Sequence, residues 1–253
     1  MSKQVKGEKL KAKNDKQDEM KQSVCLLGDE QLVKEFASEF EKAGIAAVEL
    51  KNLSSLKAFA KKSTIAFELS LAGSEQKVKN LQALDALLPA GIPIVTNAIT
   101  ATVLSQSQSV QHKERLAGIA AFPTLTENML AEIAPSLYTS QEIADTVVKF
   151  FSESKKECSI VEDSIGMVMP RILCQSINEA LFTVQNDVAN PKDVDSAMKL
   201  AANYPYGPIE WGERIGFKNV VAVLDALYQN HGEERYRVAP LLRQMAAAGK
   251  FWS

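Results

Sequence analysis

The feature that most limits what this chain can fold into is a change of apolar period near residue 157. From Ser23 to about Glu157, short apolar runs alternate with stretches of helical spacing; past "ECSIVED" only the helical spacing remains. "VCLLG" runs through one glycine into "EQLVKEFASEFEKAG", where Leu32, Val33, Phe36, Phe40 and Ala43 fall on one face. "IAAVEL" follows the helix-stopping Gly44 as a second strand, and "TIAFELSL", "IPIVTN" and "RLAGIAAF" read as further strands. Between and after them lie a short helix at 53–61, the helix "EQKVKNLQALDALL", and "TSQEIADTVVKFF", opened by a capping box from Thr139 or Ser140 and Glu142. Such alternation implies an open parallel sheet with helices on both faces, a doubly wound α/β domain over residues 23–157.

The rest, 158–253, reads as an all-α domain. "GMVMPRILCQSINEALFTV" carries Val168, Ile172, Leu173, Ile177, Ala180, Leu181 and Val184 at helical spacing. "NPKDVDSAMKLAA" starts with Asn190 as N-cap and Pro191 in the first turn. Two more helical runs, "FKNVVAVLDALYQN" and "VAPLLRQMAAAG", follow the Pro- and Gly-rich "NYPYGPIEWGERIG". Val24, Leu26, Val48, Phe67, Ile94, Val168, Ile177 and Leu224 are the expected core markers of the two domains.

Composition narrows the function classes. A formal net charge of −2 gives no global attraction to nucleic acid or to an anionic membrane. No apolar run reaches membrane-spanning length, and the N-terminus lacks the apolar core of a signal peptide, so the cytoplasm is the expected compartment. Cys25, Cys158 and Cys174 are far apart with no CxxC, which argues against a disulfide framework or a metal site and for buried thiols. Residues 1–22, "MSKQVKGEKLKAKNDKQDEMKQ", hold too little apolar surface to offset their ordering entropy and read as a disordered tail, with a basic arm for an acidic partner as the other reading.

The second half carries a more specific signal. "NEALFTV", "NPKDVDSAMKLAANYPYGPIEWGERIGFKNVVAVLDAL" and "GEERYRVAPLLRQMAAAGK" resemble, in this order, the C-terminal helical domain of the NAD-dependent 3-hydroxyacyl-CoA dehydrogenases. The resemblance covers roughly residues 160–250. With that anchor the first half is similar to the family's Rossmann-like dinucleotide domain, without the long helical hairpin that relatives insert after the second strand and its helix to cover the acyl-CoA. The resemblance implies NAD as cofactor, hydride transfer from a 3-hydroxyacyl carbon, and a dimer through the helical domain, either a homodimer or a heterodimer with a related dehydrogenase.

Carried over residue by residue, most of the site is altered. In the dinucleotide fingerprint the first glycine is Gly28, but the second falls on Glu30 and the third on Val33. A carboxylate beside a pyrophosphate repels it by about 1 kcal/mol per charge pair at 4 Å in water, and by more where partly buried. Asp29 and Glu30 fit better as caps of the helix that follows. The ribose-binding acid falls on Lys51, which reads either as a 2′-phosphate contact or as a solvated strand-end lysine. Gly28, Lys51 and Lys77 are the cofactor-binding positions that the resemblance implies. The general base falls on Ala120, its neighbouring asparagine on Pro123, the loop serine on Ile99 (with Thr100 next to it), and the helical-domain asparagine on Pro170. Glu132 survives as a vestige of the catalytic His–carboxylate pair. The only histidines, His112 and His231, lie away from the motif.

Three readings follow. One is a non-catalytic family member acting as a dimeric binding or partner subunit in acyl-CoA and fatty acid metabolism. The alternative is a divergent but active dehydrogenase, which requires a histidine to approach Glu132. The third is a binder of an acyl or other hydrophobic small molecule in an old cleft now lined by Ile99, Ala120 and Ala121.

Overall fold

The computed structural model describes residues 23–50, 53–71, 75–124, 130–249 and 252; the expectations for the tail 1–22 and for Lys51 lie outside them. Seven strands form one sheet: β1 Ser23–Gly28, β2 Ala46–Glu49, β3 Ile65–Leu69, β4 Ile94–Asn97, β5 Leu116–Ile119, β6 Ala131–Pro135 and β7 Cys158–Ile160. Their order is β2-β1-β3-β4-β5-β6-β7. The chain reverses direction across the sheet between β2 and β3, which puts a topological switch point at the ends of β1 and β3.

The helices of this unit are α1 Glu30–Lys42, α2 Leu53–Phe59, α3 Glu75–Leu87, the short α4 Val103–Gln106, and α5 Gln141–Glu153. The apolar run "VCLL" in β1 is continuous because both of its faces are covered. Val24 and Leu26 pack on one side, against Phe36 and Phe40 of α1, Phe67 of β3, and Phe150 and Phe151 of α5. Those rings meet edge-on or tilted at 5.2–6.1 Å between centroids. Cys25 and Leu27 point to the opposite core.

Three details depart from the sequence reading. β6 is a strand that lies outside the apolar runs named as strands. The β5–β6 pair is antiparallel, while every other pair is parallel. Residues 120–130 are too few for a helical crossover, which takes about a dozen residues or more, so the chain returns alongside β5. β7 pairs with β6, so 158–160 belong to the sheet, just beyond the expected boundary at 157.

The second unit consists of α6 Met169–Gln185, α7 Pro191–Ala201, α8 Pro208–Ile215, α9 Phe217–His231 and α10 Pro240–Ala248. Among its described residues there is no strand beyond β7. Asn190 caps α7 by accepting the N–H of Asp193, with Pro191 in the first turn as its fixed φ allows. Ser140 caps α5 through the N–H of Ile143, which leaves Glu142 one position short of a reciprocal capping box.

Of the core markers, Val24, Leu26, Phe67, Ile94, Ile177 and Leu224 are buried. Val48 is half-buried because β2 is the sheet edge. Val168 is 49% exposed. It is the cap residue ahead of α6, outside the helical stripe that the sequence spacing assigned it to.

Candidate functional site

The turn after β1 is where a dinucleotide would be cradled. Gly28 is required there, but for packing. Its φ is +134°, and a Cβ would stand 2.5 Å from the backbone of Leu69 and Ser70. The next residue closes the anion site from within. Asp29 accepts the N–H groups of Gln31 at 3.2 Å and Leu32 at 3.3 Å, so the first-turn donors that would meet a pyrophosphate already hold a carboxylate. Glu30 points to solvent beside Lys34 rather than into the turn. Val33 is core. The residues of this turn do not fit the pyrophosphate of the NAD that the family resemblance implies.

Lys77 sits at the ends of β3 and β4, but it faces inward. Its Nζ lies 2.9 Å from the Glu68 carboxylate and donates to the carbonyls of Ser70 at 3.0 Å and Asn97 at 2.7 Å. Asn80 Nδ2 donates to Glu68 at 3.0 Å. Burial pushes the Lys77 ammonium below its ordinary pKa, against the pull of Glu68. The expected cofactor contact is therefore an internal brace between strand ends. Asn97 extends the brace by donating to the carbonyl of Ala121 at 3.0 Å and accepting that residue's N–H at 3.3 Å. The frame that would hold a residue at position 120 is present; the base is not.

The cleft expected around Ile99, Ala120 and Ala121 is filled. All three are buried, as are Phe122 and Pro170. Met167, from the connector into the helical unit, lies against Gly118 of β5, where an added Cβ would come within 3.1 Å of its Cε. Gly166 N–H bonds to the carbonyl of Ile99 at 3.0 Å. Ile99, Ala120, Phe122, Ile165 and Met167 belong to one core that continues into α6 and α9. Apolar side chains from both units meet where a ligand cleft was expected, because small residues on the sheet let the connector approach.

Glu132 is out of solvent, and no cation is paired with it among the described residues. It is 4% exposed, and its two oxygens accept the N–H groups of Val168 at 2.8 Å and Met169 at 2.7 Å at the start of α6. No histidine is hydrogen-bonded to it among the described residues. His112 sits 3.2 Å from Asp85 through Nδ1. His231 lies at the end of α9 beside the ring of Tyr236. Thr100, the neighbour of the missing serine, donates to the carbonyl of Leu71 at 3.2 Å.

Two groups that organise this region went unnoticed in the sequence. Asp163 accepts the N–H groups of Val103 at 2.7 Å and Leu104 at 2.8 Å, and burial raises its pKa despite both bonds. Asp85 clasps Arg115, with the guanidinium also capping the carbonyls of Leu88 and Pro89. The partners of both aspartates lie far along the chain, so no local pattern marks them.

Comparison with known proteins bears on both units. Residues 166–252 match the family model of the 3-hydroxyacyl-CoA dehydrogenase C-terminal domain. A 3-hydroxybutyryl-CoA dehydrogenase of Clostridioides difficile is 31% identical over 183 residues, covering 72% of this chain and 65% of that protein, just under two thirds of its length. A probable 3-hydroxybutyryl-CoA dehydrogenase of Bacillus subtilis is 27% identical over 228 residues, covering 88% and 79% respectively. The solved (S)-3-hydroxybutyryl-CoA dehydrogenase of Ralstonia eutropha shares the fold, with a TM-score of 0.78 over 91% of this chain and 95% of that one at 24% identity. A Rossmann-like sheet, a helical second unit matching the family's own C-terminal domain, and relatives aligned across both units agree: the chain belongs to the 3-hydroxyacyl-CoA dehydrogenase family.

Proposed function

We propose that this chain serves acyl-CoA and fatty acid metabolism as a non-catalytic family member, a binding or partner subunit working as a dimer in the cytoplasm. One observation carries this reading: at the position of the general base stands Ala120, and the carboxylate that would orient such a base, Glu132, is spent on the N–H groups of α6. Oxidation of a secondary alcohol needs a proton acceptor near neutrality, and its loss alone costs about 10²–10⁴-fold in rate. The Asp29 cap adds a barrier to cofactor binding.

Surface chemistry supports association through the helical unit. None of the residues of α7 is fully buried; Leu200 on it is exposed, as are Val188 just before it and Ile172 on α6. The apolar face of α9 is used inside the chain, where Phe217, Val220, Val223, Leu224 and Leu227 are buried, so it is not the face offered to a partner. The partner is a second copy or a related dehydrogenase. For the compartment, free cysteines and the absence of a membrane-spanning helix among the described residues are consistent with the cytoplasm.

The names of the relatives favour the other reading, a divergent but active NAD-dependent 3-hydroxyacyl-CoA dehydrogenase, since the three relatives named above are all called dehydrogenases. Calorimetric titration with NAD, NADP and 3-hydroxybutyryl-CoA, followed by an assay for NADH formation, separates the two. Binding of an acyl-CoA without NADH formation is the expected result; turnover establishes the active enzyme.

A further inference from the structure

The seam between the sheet and the helical unit is crossed twice, in opposite directions, by carboxylates. Glu132, in β6, reaches out of the sheet to the first N–H groups of α6. Asp163, in the connector after β7, reaches back to the first N–H groups of α4. Donors in the first turn of a helix have no acceptor within the helix, so each pair depends on the carboxylate that meets it. At α6, a helix of 17 residues, the carboxylate also gains from the helix dipole, and in both pairs the hydrogen bonds are charge-assisted.

Between the two contacts sits Met167. Its φ is +43°, a conformation that a side chain of this size adopts only where its surroundings hold it. The side chain is buried against β5 and belongs to the same apolar core as Ile165, Ile99, Ala120 and Phe122. Neither the strained backbone nor the filled seam suits a joint that opens and closes.

We infer that Glu132 and Asp163 are a crossed pair of fasteners that, with Met167 as a plug, hold the helical unit on the sheet in a single orientation. The carboxylate that the family resemblance assigns to a catalytic pair serves here as a structural tie between the units. The inference rests on the seam's geometry and does not require the chain to be inactive.

The test uses amide hydrogen exchange and one distance. In the full chain, the amides of Val168, Met169, Val103 and Leu104 exchange slowly. Glu132→Ala speeds exchange at Val168 and Met169 by about tenfold, the size of a lost cap, and leaves Val103 and Leu104 unchanged. Asp163→Ala does the reverse. Should Glu132→Ala not fold, Glu132→Gln, which keeps one acceptor oxygen, releases the amides by a smaller factor.

Spin labels at Lys149→Cys on α5 and Lys218→Cys on α9, in a Cys158→Ser background, report one narrow distance. That distance stays unchanged on adding NAD or 3-hydroxybutyryl-CoA and broadens in the Glu132→Ala, Asp163→Ala double variant. A broad or ligand-shifted distance in the chain with both carboxylates overturns the inference. So does a double variant that keeps slow amides and a narrow distance. Turnover by the wild-type chain with the distance still single removes the non-catalytic reading and leaves the fasteners in place.

Discussion

Glu68 and Lys77 form an ion pair at 2.9 Å with both side chains almost wholly out of solvent, at the end of β3 and in the middle of the brace that reaches Asn97. Removing one partner leaves the other charge buried and uncompensated. Lys77→Met is therefore expected to lower unfolding free energy by about 3–5 kcal/mol. The double variant Lys77→Met, Glu68→Gln should recover a large part of that loss, because it removes both charges. Urea unfolding of the three chains measures it, with a constant denaturant slope as the check on two-state behaviour.

Asp85 predicts an acid limb in stability. Burial alone would raise its pKa, but the Arg115 guanidinium and the N–H groups of Gln111 and His112 outweigh burial and hold it below the ordinary aspartate value. A carboxyl with a lower pKa in the folded state contributes stability above its unfolded value of about 3.9, and that contribution is lost as pH falls through the folded value. Asp85→Asn should be clearly less stable than wild type at pH 7. The gap should narrow as pH falls through the folded value in the same urea series.

Restoring the base should not restore the reaction. Ala120→His puts a larger side chain into a closed core beside Phe122, at a cost of about 1–3 kcal/mol from overpacking. It also leaves Asp29 on the N–H groups of α1. Asp29→Ala should cost about 1 kcal/mol in helix stability. Neither change alone is expected to yield NADH from 3-hydroxybutyryl-CoA in an absorbance assay. The change that opens the cradle is at Asp29; Glu30, the residue that the fingerprint singled out, already points to solvent.

Association should depend on the outer face of α7. Leu200 is 87% exposed, so replacing it with Glu costs the fold little while placing a charge in any apolar contact made there. Leu200→Glu is expected to convert a dimer to a monomer in sedimentation at micromolar concentration, with the melting temperature of the monomer fold retained. A wild-type chain that sediments as a monomer removes the association proposal.

What the sequence determined by itself is local. The alternation of strand and helix, the helical second half, the caps at Asp29 and Asn190 and a cap at Thr139 or Ser140 all rest on periods and hydrogen bonds that span a few residues. The family likeness of the second half rests on residue order and was equally legible. Tertiary structure decided the partners. Glu132 meets Val168 across 36 positions and Asp163 meets Val103 across 60, and nothing in either neighbourhood marks the other. Lys77 is a cofactor-binding position by resemblance, yet the approach of β3 and β4 turned it inward onto Glu68. Val168 fitted a helical stripe but stands outside the helix that it caps. A side chain's period follows from its own backbone, whereas the group it pairs with is set only when distant segments pack.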